Sequence, residues 1–169
     1  VKGFVTWIMP TNNELTYLKN FNIHKERLKE CAKIIGNHGM KFGLEFVGPK
    51  TLMSRDQFSF IRTINELGEL IDAIDEKNVG YLLDTFHLYC ANHSVDDLKF
   101  LNKEDIIMCQ INDAVIGRSR DEQIDLERNL PGKSGIIDTS PFLNFLNNIG
   151  YEGTVAAEPF NKELNKMNN

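Results

Sequence analysis

The chain has 169 residues, 41% of them hydrophobic and 25% charged, which is enough apolar material for a packed core in one domain, or part of one. Its net charge of -5, with 19 Lys and Arg scattered along the sequence, argues against a nucleic-acid partner, which needs a concentrated basic face. No apolar run approaches the roughly 20 residues that cross a bilayer, and Cys31, Cys90 and Cys109 lack CxxC spacing, so reduced thiols in a soluble cytoplasmic protein are expected.

Taken in chain order, GFVTWIM (3–9) is short, β-branched and aromatic and ends at Pro10, the pattern of a buried strand opening into a loop. From about 22 to 37, Ile23, Leu28, Cys31, Ile34 and Ile35 mark the apolar stripe of a helix, with Gly39 as a stop signal. KFGLEFV (41–47) is again a strand, closed by Gly48 and Pro49. TINELGELIDAIDE (63–76) sets Leu67, Leu70, Ile71 and Ile74 on one helix face.

VGYLLDTFHLY reads as a strand running into a loop, SVDDLKFL as a short helix with Ser94 as N-cap, and DIIMCQIND as another strand. The polar stretch 114–137, too long for a routine connection, reads as a functional loop. TSPFLNFLNNIG is a helix ending at Gly150, and GTVAAEP a last strand before a polar Asn-rich tail. Strands at 3–9, 41–47, 79–85, 105–112 and 153–158 with helices between them predict an α/β fold on a parallel sheet, either a barrel or doubly wound.

Glu45, Asp84 and Glu158 each lie in an apolar strand, near its carboxyl end. A carboxylate there costs several kcal/mol to desolvate unless it is paired or holds a cation. In a parallel barrel, strand ends distant in sequence surround one mouth, and Gln110 brings a neutral oxygen at the same level of a fourth strand. These are hard ligands for a divalent metal ion, Mn2+ by preference, with Mg2+, Zn2+ or Co2+ as alternatives.

His87, three residues past Asp84, is suited to proton transfer or to hydrogen bonding a hydroxyl. Arg128, just before the Pro131-Gly132 turn, and Lys50, in GPKTLMSR, are candidate substrate-binding cations. The bland readings are structural salt bridges for the acids, a packed histidine and surface cations. His24, His38 and His93 read as structural or exposed.

The ordered segments LEFVG, LLDTFHLY, INDA, LPG and AAEPF resemble the sugar phosphate isomerase/epimerase superfamily on the xylose isomerase-like TIM barrel, most of all its inosose isomerase-like branch, associated with inositol catabolism. The resemblance runs from about Gly3 to Phe160 and implies a (β/α)8 barrel of which residues 1–169 form the carboxyl-terminal part, about strands 4–8. It implies a metal on Glu45, Asp84, Gln110 and Glu158, substrate contacts from His87 and Arg128, and a match of Asp113 to the acid after the third ligand. Gln110 departs from the family's usual histidine. Between Phe46 and Arg55 the second glutamate of the ketose 3-epimerases is missing, which favours isomerisation.

The function expected is a divalent-metal-dependent isomerase or epimerase acting on a small sugar or polyol-derived ketone through an enediolate, with Glu45, Glu158 and His87 as catalytic groups. A related dehydratase, an endonuclease on the same barrel and a non-catalytic barrel are the alternatives. Self-association into a homo-oligomer is compatible with the composition. Val1 opens the chain inside an apolar segment, as a processed end or a fragment would.

Overall fold

The computed structural model describes residues 2–161 and 164–167; Val1 and tail positions 162, 163, 168 and 169 lie outside them. In chain order the strands are β1 (Gly3–Ile8), β2 (Thr11–Asn12), β3 (Lys41–Phe46), β4 (Phe58–Ser59), β5 (Val79–Asp84), β6 (Ile106–Ile111) and β7 (Thr154–Ala157). The helices are α1 (Tyr17–Gly36), α2 (Lys50–Met53), α3 (Ile64–Ile74), α4 (Thr85–Cys90) and α5 (Ser140–Asn148). A sheet in the order β1-β3-β5-β6-β7 is parallel throughout, and β2 with β4 forms a separate antiparallel ribbon.

Helices return the chain between parallel strands, as such strands require. The helix α3 is the clearest case. Thr63 caps it by accepting from Glu66 N, and Ile64, Leu67, Leu70 and Ile74 are fully buried against the sheet. They join Phe42, Leu44 and Phe46 of β3 in one apolar cluster. Alternation along β3 sends those residues to the helix layer and Glu45 to the opposite face.

Two expectations from the sequence are corrected. In α1 the helix begins at Tyr17 and buries Asn20 and Ala32, while Ile34 is 63% exposed and Cys31 faces solvent. The packed stripe runs through Tyr17, Phe21, Leu28 and Ile35, and Ile34, one position from Ile35, is turned by about 100° from it. Residues after Asp84 form α4 rather than a loop, because the Asp84 carboxylate caps that helix from the strand's last position.

The outer strands β1 and β7 each pair on one side only within the sheet. The expectation of a buried strand at 3–9 is corrected as well: on β1, which pairs on one side only, Phe4 is 49% and Trp7 55% exposed. No helix among the described residues is long and apolar enough to cross a membrane.

Candidate metal centre

Strand register brings the acids together. Asp84 pairs with Gln110 across β5 and β6, Gln110 pairs with Ala156 of β7, and Glu158 follows two residues later with its N–H donating to Ile111 O. Glu45 is the fifth residue of β3. All four side chains therefore stand at the carboxyl ends of neighbouring parallel strands, where βα loops meet.

Asp84 is nearly shut off from solvent, and both its oxygens are in use. Its Oδ1 accepts from Phe86 N at 2.6 Å and His87 N at 3.2 Å. Its Oδ2 accepts from Asn112 Nδ2 at 3.0 Å and from Arg128 Nη1 at 2.9 Å. Glu158 accepts from Gln110 Nε2 at 2.8 Å on Oε1 and from Arg128 Nη1 at 2.7 Å on Oε2.

Arg128 is thus the hub. Its Nη2 donates to Asp125 Oδ1 at 2.6 Å and its Nε to Asp125 O at 2.7 Å, and its guanidinium lies 4.7 Å from the Phe86 ring and 4.9 Å from the Phe160 ring. Burial opposes its charge, but Asp84, Asp125 and Glu158 outweigh that and raise its pKa. Asp113 holds the loop that carries it. Its carboxylate accepts four backbone N–H groups, from Ala114, Ser134, Gly135 and Ile137, and its backbone pairs with Asn129. Burial pushes the Asp113 pKa up, and these bonds prevail and lower it.

Glu45 differs from its neighbours. Its Oε1 is buried with no hydrogen-bond partner, and so is Gln110 Oε1. Burial, followed by the nearby Asp84 and Glu158 charges, pushes the Glu45 pKa well above the usual carboxylate range. Burial also raises Glu158, against the pull of Arg128. Ligand atoms of Glu45, Asp84 and His87 all lie within 4.8 Å of one another. Buried acceptors without donors are costly, and hard oxygens of this kind fit a divalent cation.

His87, on α4, is buried, with Nε2 3.7 Å from Glu45 Oε1 and from Asp125 Oδ1 and 3.2 Å from Arg128 Nη2. Burial lowers its pKa. Beside these groups lies a cavity of about 570 Å³, walled by Trp7, Leu52, Leu126 and Phe160 and floored by Glu45 and Glu158.

Lys50 does not join them. It lies at the start of α2, 61% exposed, and its Nζ pairs with Asp121 at 2.6 Å outside this cavity. Asp125, Asn112 and Gly48 reach the centre without having been singled out in the sequence. Asp125 had one signal, its place three residues before Arg128 in the long loop; Asn112 and Gly48 lie within the segments INDA and LEFVG but act through an amide and a backbone N–H to which residue type alone gave no role.

Residues 10–169 match the family model described as a xylose isomerase-like TIM barrel. The inosose isomerase of Bacillus licheniformis is 30% identical over 145 residues, 84% of this chain and 48% of that protein. A xylose isomerase domain protein from Alicyclobacillus acidocaldarius is similar in structure with a TM-score of 0.85 at 32% identity, over 94% of this chain and 55% of that one. The IolI protein crystallised with a zinc atom gives a TM-score of 0.80 at 25% identity, over 98% and 56%. The chain spans about half the length of the curated relatives it matches. With an α/β sheet of this topology and acids gathered at its strand ends, the chain belongs to the xylose isomerase-like TIM-barrel family.

Proposed function

We propose that the chain is the carboxyl-terminal part, about strands 4–8, of a single barrel that isomerises a small sugar or polyol-derived ketone with a divalent metal ion. One observation carries the reading: the unpartnered buried oxygens of Glu45 and Gln110 beside Asp84 and Glu158. Glu45, Asp84, Gln110 and Glu158 would hold the ion. Mn2+ suits three carboxylates and an amide, and Mg2+, Co2+ and Zn2+ are the alternatives, the last supported by the zinc of the IolI protein.

When bound, the cation supplies Lewis acidity, lowering the cost of negative charge on two adjacent substrate oxygens as an enediolate develops. Proton movement between the two carbons falls to a carboxylate. Glu45 is the better carrier: with its Oε1 on the ion, its other oxygen accepts no hydrogen bond among the described residues, while both oxygens of Glu158 already accept hydrogen bonds. Arg128 and His87 orient substrate oxygens, and the apolar wall with Trp7 and Phe160 limits water at the reacting carbons. Lys50, paired with Asp121, takes no part. The similarity to an inosose isomerase supports inososes and ketoses as the first substrates to try.

A second reading, a barrel that binds a sugar without turnover, is favoured by Arg128, which already serves Asp84 and Glu158. The experiment is metal analysis of the purified full-length protein, followed by assays of inososes and ketoses with Mn2+, Mg2+, Co2+ and Zn2+ in turn. Isomerisation that depends on the ion and is lost in Glu158→Gln supports the proposal. Failure to bind any of the four ions, or activity untouched by Glu158→Gln, refutes it.

A further inference from the structure

The two ring nitrogens of His87 both face N–H groups. Gly48 N lies 3.2 Å from Nδ1, and Arg128 Nη2 lies 3.2 Å from Nε2. A neutral imidazole carries one ring proton, so it can accept from only one of these neighbours. The choice depends on which donor would be stranded.

The Gly48 N–H is a buried backbone donor, and no other acceptor for it is found among the described residues. Buried backbone N–H groups are almost always paired. Arg128 Nη2 already donates to Asp125 Oδ1 at 2.6 Å, so it keeps a partner if its approach to the ring is not a hydrogen bond. Two carboxylate oxygens, Glu45 Oε1 and Asp125 Oδ1, each lie 3.7 Å from Nε2, so a proton there has anions near it. Those distances are too long for a direct hydrogen bond. The donor is therefore open to a further acceptor between them.

We infer that the backbone N–H of Gly48 fixes His87 as the Nε2–H tautomer, making the ring a hydrogen-bond donor to a substrate oxygen and removing it from the ligands of the metal centre. Glu45, Asp84 and His87 are close enough to share an ion, but a histidine that binds metal through one nitrogen donates its other N–H to an acceptor. Here the other nitrogen meets a donor. Gly48 is a positioning residue in this arrangement. It has no side chain because a Cβ would overlap the His87 carbonyl oxygen, and its close approach is what delivers the N–H to the ring. The ligand half of the inference rests on the proposed metal centre; the tautomer does not.

The test is 15N NMR of the full-length protein labelled at histidine, above neutral pH, with the His87 signals identified by their loss in His87→Gln. The expected spectrum has Nδ1 at the shift of an unprotonated ring nitrogen and Nε2 at that of a protonated one. A proton on Nδ1 overturns the inference. Zn2+ is then added and its binding followed by calorimetry. Retention of the Nε2 proton with Zn2+ bound supports the inference, and its loss to the ion overturns it. If Zn2+ does not bind, the metal-centre reading is weakened, and the tautomer in the ion-free protein alone decides the inference.

Discussion

Arg128 Nη1 donates to Asp84 Oδ2 at 2.9 Å, and the two side chains are 1% and 0% exposed. Asp84 closes β5 and caps α4, whereas Arg128 comes from the long loop after β6, so this contact ties the loop to the sheet.

Replacing Arg128 by Met leaves a buried carboxylate without its counter-ion. Breaking a buried pair in this way costs about 3–5 kcal/mol. Urea denaturation should show that loss, and Arg128→Lys should recover only part of it, because an ammonium cannot serve Asp84, Asp125 and Glu158 with the same planar fork. A loss below about 1 kcal/mol in the Met variant would mean that the loop is held in some other way.

Stability in a chelator should fall as pH rises through and above the usual carboxylate range. The pKa values of Glu45 and Glu158 are raised above 4.5 by burial, so the folded state holds protons that the unfolded chain has released. The stability they contribute is full below about pH 4.5 and is lost as pH passes through the raised values. Asp113 and His87 act in the opposite direction. Their folded pKa values are lowered, so their contribution is present above the unfolded values of 3.8 and 6.5 and is lost on acidification. Comparing wild type with Glu45→Gln isolates the first effect. The variant should flatten the decline at higher pH and abolish ion binding; an unchanged pH profile would contradict the assignment.

Asp113→Asn removes the charge that accepts four backbone N–H groups and turns an amide NH2 towards one pair of them. Hydrogen bonds to a charged group are worth roughly 1.5–3 kcal/mol each, so a loss of about 3 kcal/mol is expected. Faster amide exchange at 134–137 should accompany it. Protection that persists there would show that the loop does not depend on this carboxylate.

Lys50→Ala serves as the contrast. Its ion pair with Asp121 is more than half exposed on both sides. Such pairs contribute at most about 1 kcal/mol, and calorimetric affinity for Mn2+ should be unaltered. A tenfold weaker affinity would bring Lys50 back into the centre.

The five strands of the parallel sheet were legible because each is a short apolar run bounded by Gly, Pro or polar residues, and strand ends are what gather Glu45, Asp84, Gln110 and Glu158; β2 and β4, two residues each, carried no such run. Leu67, Leu70 and Ile74 of α3 were legible from their spacing, and Ser94 as a cap from its position before acidic residues. Other features were not. At six residues, α4 is too short to display a period, and its start signal, Asp84, had a competing reading as a ligand. The buried face of α1 runs through Tyr17, Phe21, Leu28, Ala32 and Ile35, and its two aromatic residues lie before the stretch from 22 in which an apolar period is visible. Lys50 and Arg128 look alike as loop cations, and only tertiary contacts separate one at the surface from one surrounded by carboxylates.

The origin of each charge divides the centre into two parts with different freedom to change. Asp84 cannot be exchanged without also undoing the start of α4, and Glu45 and Gln110 are set by ladder register, so the acidic half is bound up with the folding of the sheet. Arg128 and Asp125 ride on 114–137, which Asp113 and the ion pairs of Arg128 with Asp84 and Glu158 tie to the sheet. A graft of another sequence between Asp113 and Ile137 that keeps Arg128 would leave the anionic frame and its counter-ion in place while altering what it recognises, which makes that segment the natural site for diversifying selectivity on a constant scaffold.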